Sequence, residues 1–155
     1  MNVDDHRFTR NCDLMARTCA LFAVRRLARA VTLHFDSHLA PSGLRGTQLN
    51  LLAAIARAEG ASLTTLGERL GMDRTALTHA LRPLRREGWV RDQVAADRRE
   101  RVVALTAAGR RAVARAMPLW RTAQRVIEAA SGTSHWPAFN RDMRRMSRRV
   151  RSNNQ

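Results

Sequence analysis

Between Asp73 and Glu87 the residues Arg74, Thr75, Thr78, His79, Arg82 and Arg85 recur at helical steps, so on a helix they share one polar face. Ala76, Leu77, Ala80, Leu81 and Leu84 fall on the other side. The polar set carries the groups that read double-stranded DNA. Hydroxyl, imidazole and guanidinium reach base edges in a major groove, and guanidinium also grips phosphate with paired donors. Thr75, Thr78, His79 and Arg82, in the early and middle turns, are expected on base edges, and Arg74 and Arg85 on phosphates. A merely solvated helix face is the plainer alternative. Pro83 removes a backbone donor inside this helix and is expected to bend its last turns away from the groove.

Other reactive side chains are sparse. His34 and His38 are four residues apart and would share a helix face, as metal ligands often do. No Glu or Cys cluster accompanies them, and Phe35 follows His34, so the HExxH pattern is absent. They are expected to line a pocket or an interface, and no metal or other cofactor is expected. Cys12 and Cys19 stand two turns apart on one helix side, beyond the roughly 7 Å between Cα atoms that a disulfide allows. Small apolar residues at an interface is their expected role. A redox-sensing thiol, which needs a lowered pKa that only Arg17 would promote, is the alternative. There is no phosphate-binding glycine loop, no paired-carboxylate motif, no nucleophile with an adjacent base, and no Tyr. The protein is not expected to be an enzyme.

The chain has 155 residues, 45% of them hydrophobic, enough for one domain with a substantial core. Its formal charge is +15, and all 28 basic residues are Arg. Some of these cover solvated helix faces, but only 13 acids oppose them, which favours a polyanionic partner. The N-terminal MNVDDHRFTRNCD is polar and acidic, unlike a signal peptide. No apolar run approaches the ~20 residues of a membrane span. A cytoplasmic protein without a membrane partner is expected.

The elements that would position these groups can be read in order. Residues 1–10 are expected to form a mobile arm, and a long helix runs from about Asn11 to Leu39, before Pro41 and Gly43. Its apolar stripe (Leu14, Leu21, Val24, Ala28, Val31, Phe35, Leu39) is widened by Cys12, Cys19, Ala23, Leu27, Ala30 and His34. Such wide coverage implies burial on more than one side, which a second subunit would supply. A helix from Thr47 to Arg57, capped by Thr47, turns Leu49, Leu52, Ala53 and Ile55 or Ala56 inward. Ser62 caps a short helix ending at Gly71, and Asp73 caps the next. Two helices joined by a glycine turn make a helix-turn-helix, whose second helix enters the major groove. The β-rich runs 89–94 and 101–105 flank a charged tip with Asp97, Arg98 and Arg99, which makes the unit a winged helix. Thr106 caps a helix to about Ala130 that Pro118 is expected to kink or locally loosen, and a last helix runs from His135 to about Arg149. The fold class is thus mainly α with a small β-hairpin wing. The boundaries are 1–10 arm, 11–44 dimerisation helix, 45–106 winged helix-turn-helix, 107–150 dimerisation helices and 151–155 tail.

Leu70-Gly71-Met72-Asp73-Arg74-Thr75 resembles the start of the recognition helix in MarR-type transcriptional regulators. Asp97-x-Arg99 followed by Leu105-Thr106-x-x-Gly109 is similar to that family's wing signature, and Gly43-Leu44-x-x-Thr47-Gln48-x-x-Leu51-Leu52 to its second helix. The resemblance spans roughly Cys12 to Arg149. It implies a homodimer whose terminal helices interlock around a twofold axis, and regulators of this kind tolerate a proline where Pro83 stands. It also implies that a wing-tip Arg, Arg98 or Arg99 and by preference Arg98, enters a flanking minor groove, while Asp97 orients a neighbouring Arg. A small effector, often an aromatic carboxylate, would bind between the dimerisation helices and the winged helix. His34, His38, Arg45 and Trp120 have suitable chemistry for such an anion. The expected function is a ligand-responsive repressor that binds a pseudo-palindromic operator as a homodimer and is released by its effector. An architectural nucleic-acid binder without sequence preference is the alternative, as is a redox- or metal-responsive regulator of the same fold.

Overall fold

A computed structural model describes residues 3–58, 62–94 and 101–153. The chain divides into two compact units, Met1–His34 and Phe35–Gln155. In the first unit α1 covers Val3–Thr18, and α2 (Ala20–Leu39) begins after one non-helical residue. Backbone bonds run through that break: Cys19 N donates to Met15 O at 2.9 Å and Ala23 N to Cys19 O at 3.2 Å. The stretch expected to be a mobile arm is therefore helical from Val3 onward, with the Asp5 carboxylate near the positive end of α1. Phe8, Leu14, Leu21, Phe22, Val24 and Leu33 are all more than half exposed, so the early part of the apolar stripe (Leu14, Leu21 and Val24) lies open to solvent, whereas its end at Leu39 is buried.

The second unit holds the winged helix. Its division from the first falls inside α2. The reason lies in the end of α2, where Leu39 is fully buried and Phe35 packs against the same core. A 3₁₀ turn at Ala40–Ser42 follows, and Gly43 closes it with φ 75°. α3 (Gly46–Arg57) then starts one residue before the expected cap, with Arg45 at the N-cap. Its first donors are satisfied elsewhere: Arg45 N donates to Gln48 Oε1 (2.9 Å) and Gly46 N to Asp36 Oδ1 (2.7 Å). Thr47 lies inside the helix for that reason. α3 also buries Leu51, while Ala53 and Ala56 face outward.

α4 (Leu63–Leu70) and α5 (Arg74–Arg86) follow, then β1 (Val90–Val94) and β2 (Arg101–Leu105). The strands are antiparallel, with Val90 opposite Leu105 and Asp92 opposite Val103. Ser62 adds an isolated bridge to Val102, tying the ribbon to the start of α4. α6 (Ala107–Ser131) continues through Pro118 without interruption, and α7 (Trp136–Ser152) closes the unit. Leu39, Leu44, Leu52, Leu77, Leu81 and Leu84 are the largest side chains under 2% exposed, so the core lies beneath α5. Among the described residues no helix is long and apolar enough to cross a membrane.

The junction between wing and α6 explains the spacing Thr106-x-x-Gly109. Thr106 Oγ1 accepts from Gly109 N (3.0 Å) and donates to Gly88 O (2.6 Å), so one hydroxyl caps α6 and holds the turn after α5. Thr106 N donates to Trp89 O as well. Gly109 is buried against that Trp89 carbonyl, where a Cβ would collide with backbone. A backbone clash of this kind should make Gly109→Ala less stable by about 3 kcal/mol, lowering Tm by about 6–12 °C in circular-dichroism melts. An unchanged Tm would mean that α6 can slide off Trp89. Asp73→Ala, which removes only the cap of α5, should cost about 1 kcal/mol, or about 2–4 °C in the same melts.

Candidate nucleic-acid interface

The exposed face of α5 is prepared by the turn in front of it. Ser62 Oγ accepts from Thr65 N at 3.2 Å and starts α4. Gly71 ends that helix with φ 66°, a left-handed conformation that favours glycine. Met72 N donates back to Gly67 O at 2.9 Å. The approach is so close that a Cβ on buried Gly67 would lie 2.8 Å from Met72 O. Asp73 Oδ1 then accepts from Ala76 N at 2.7 Å and begins α5. With Leu77, Leu81 and Leu84 buried beneath, the helix has one orientation available. Arg74, Thr75, Thr78, His79 and Arg82 are all exposed on its outer side, five of the eight residues expected at DNA.

Two of the expected residues have further geometry. Thr78 donates its hydroxyl proton to Arg74 O (2.7 Å), so it presents a methyl group and an acceptor oxygen outward. Arg85 is only half-buried, and its Nη2 donates to Asp92 Oδ1 on β1 at 2.8 Å. Its guanidinium is thus bonded to the wing strand. Asp92 had no part in the sequence reading; its signal was an acid on the strand just beyond the helix end, on the same ribbon face as buried Val90.

α5 ends in a two-bond cap: Gly88 N donates to Arg85 O (2.9 Å) and Trp89 N to Leu84 O (2.9 Å), with Gly88 at φ 66°. Pro83 sits inside α5 and takes away the donor that His79 O would receive, yet the helix persists to Arg86. The wing tip, with Asp97, Arg98 and Arg99, lies outside the described residues. Arg151, expected in a C-terminal tail, belongs to α7, and its guanidinium lies over Gly71 with Nη1 directed at Glu68 O. A cation there suits the negative end of α4.

The residues suggested for an effector are placed individually. His34, in the first unit, is half-buried. In the second unit His38 is half-buried, with Nδ1 3.4 Å from Ser37 Oγ. Arg45 is exposed at the start of α3, and Trp120 of α6 is half-buried against the core. Cys12 and Cys19 are free thiols, the first exposed. Among the described residues no group of three His, Cys, Asp or Glu side chains could hold a metal ion.

A family model described as "MarR family" matches residues 42–100, from the end of α2 to the wing. The chain is 37% identical to the M. tuberculosis transcriptional regulator MosR, solved in complex with DNA, over 88% of this chain and 99% of that one, with a TM-score of 0.79. The PcaV transcriptional regulator from Streptomyces coelicolor, solved with its natural ligand, is 23% identical over 85% and 94% of the two chains, with a TM-score of 0.76. CouR, a transcriptional repressor bound to a 23-mer DNA duplex, is 22% identical over 86% and 95%, also with a TM-score of 0.76. These last two share the fold. None of the curated proteins compared matches the chain. With a polar, doubly capped recognition helix beside a two-stranded wing, and with MosR similar along nearly its whole length, the chain belongs to the MarR family of DNA-binding transcriptional regulators.

Proposed function

We propose that the protein is a ligand-responsive repressor that binds a pseudo-palindromic operator as a homodimer. The observation that carries the reading is the outer face of α5, where Arg74, Thr75, Thr78, His79 and Arg82 are exposed together. In this reading Thr75, Thr78, His79 and Arg82 read base edges and Arg74 holds phosphate. Arg98 and Arg99, outside the described residues, serve the flanking minor groove by analogy with the family.

Dimerisation is supported by where the uncovered apolar surface lies. Every large hydrophobic residue that is exposed among those described belongs to α1, α2, α6 or α7, and none to the winged helix between α3 and β2. Large apolar side chains exposed in this number on helices call for a partner, which a second copy would supply. Two recognition helices then meet half-sites about one helical turn, roughly 10 bp, apart.

Repression and release follow the relatives: CouR is a repressor bound to DNA, and PcaV holds a natural ligand. For this chain the effector is proposed to be an aromatic carboxylate recognised by His34, His38, Arg45 and Trp120. Release requires only that it bind the DNA-incompatible arrangement of the dimer more tightly than the operator-bound one. The surplus of Arg over acids would serve an architectural binder equally well, so sequence preference decides between the readings.

Fluorescence anisotropy on DNA from the gene's own upstream region, beside a scrambled duplex, is the direct test. A preference of about a thousandfold or more supports a specific regulator, and equal affinity favours the architectural binder. Arg74→Ala should flatten the dependence of log K on log salt by about 0.9 for each phosphate that the protein no longer neutralises. Leu21→Glu should shift the mass seen by light scattering from dimer towards monomer and weaken operator binding. For the effector, aromatic acids that release DNA from the parent protein should bind more weakly to His38→Ala and Arg45→Ala; unchanged affinity removes these residues from the site.

A further inference from the structure

Arg85 and Asp92 form the one ion pair that joins the recognition helix to the wing among the described residues. We propose that this pair sets the inclination of the wing against α5, and that Arg85 acts in DNA recognition only through Asp92, as a positioning residue without a phosphate of its own. The proposal rests on the reading of the protein as an operator-binding regulator and assigns the pair a specificity role within it.

Three features support it. The first is geometry: Arg85 Nη2 and Asp92 Oδ1 are 2.8 Å apart, a charge-assisted hydrogen bond. The Arg85 side chain is only 32% exposed and its Nε is buried, so the guanidinium is laid into the angle between helix and strand, not extended outward. The second is placement. Asp92 lies two residues beyond Val90 on β1, is itself 47% exposed, and is placed by the strand alternation to meet the end of α5. The pair spans the left-handed Gly88 turn, where a few degrees of rotation would swing the whole hairpin.

The third is the wing itself. A two-stranded ribbon has little stability of its own, so its direction must be imposed from outside. The Trp89 to Leu84 bond and Thr106 fix its base, and Ser62 fixes one point on β2. Buried Val103, opposite Asp92, anchors the β2 side at mid-ribbon, and Arg85 is the side chain of α5 bonded to the β1 side there. Recognition helix and wing must reach the same duplex together, so a wing that rocks can no longer tell one sequence from another as sharply. Grip on phosphate is less affected, because the backbone offers it everywhere.

The test uses the full-length protein on its selected operator and on a scrambled duplex, each over a range of salt. Arg85→Gln and Asp92→Asn should each reduce the preference for operator by on the order of tenfold. Both should leave the salt slope on scrambled DNA unchanged, with Tm close to that of the parent. The double variant should be no worse than either single one, and the exchange Arg85→Asp with Asp92→Arg should recover most of the preference. Arg85→Gln flattening the salt slope by about 0.9, as expected of a residue that neutralises a phosphate, would overturn the proposal. Additive losses in the double variant, or undiminished preference in both single ones, would do the same. A parent protein with no preference for any operator would end the regulator reading and this proposal together, whereas a selective parent with equally selective variants ends this proposal alone.

Discussion

What α5 can offer to DNA depends on the burial of three leucines. Leu77, Leu81 and Leu84 are each at most 1% exposed, and they fix the rotation of the helix about its own axis. A turn of one residue is about 100°, so no partial compromise lets a leucine out and keeps the arginines in place. The close passage at Gly67, the left-handed Gly71 and the Asp73 cap set where the helix begins. Burial sets which way it faces. Each residue on the outer face inherits its direction from those apolar neighbours, which touch no ligand at all.

The wing obeys a different logic. It buries only Val90, Val102 and Val103 among its described residues, and it stands because its ends are also tied to elements that are buried. Thr106 serves both sides of that tie, bonding the turn after α5 and capping α6 with one hydroxyl. Gly109 allows the two to meet at backbone distance. A helix that runs from this junction to Ser131 thus begins at the DNA-binding end of the fold and carries exposed Val126 near its other end.

How much of this was legible in the sequence depended on range. Ser62, Asp73 and Thr106 are all readable as caps, because each acts on a donor three residues ahead. The outer face of α5 follows from its leucine spacing alone. Thr47 misleads because its type suits a cap, while Asp36, ten residues earlier, takes the donor at Gly46. Cys19 gives no sign of a break, since the hydrogen bonds scarcely notice it. The pairing of Arg85 with Asp92 across a turn is not visible in the sequence, and Arg151 has the look of a tail until α7 brings it over Gly71. Local chemistry is written in neighbours; these last two pairings exist only after folding.

The bond from Gly46 to Asp36 has a consequence for anion recognition. A helix start with free N–H groups attracts carboxylates by itself, whatever side chains surround it. At α3 that vacancy is already filled by a counter-anion tethered to the same chain, which no dilution can remove. An acidic molecule arriving beside Arg45 therefore finds no unclaimed backbone donor at Gly46. At that position the fold thus supplies its own carboxylate in place of an external one.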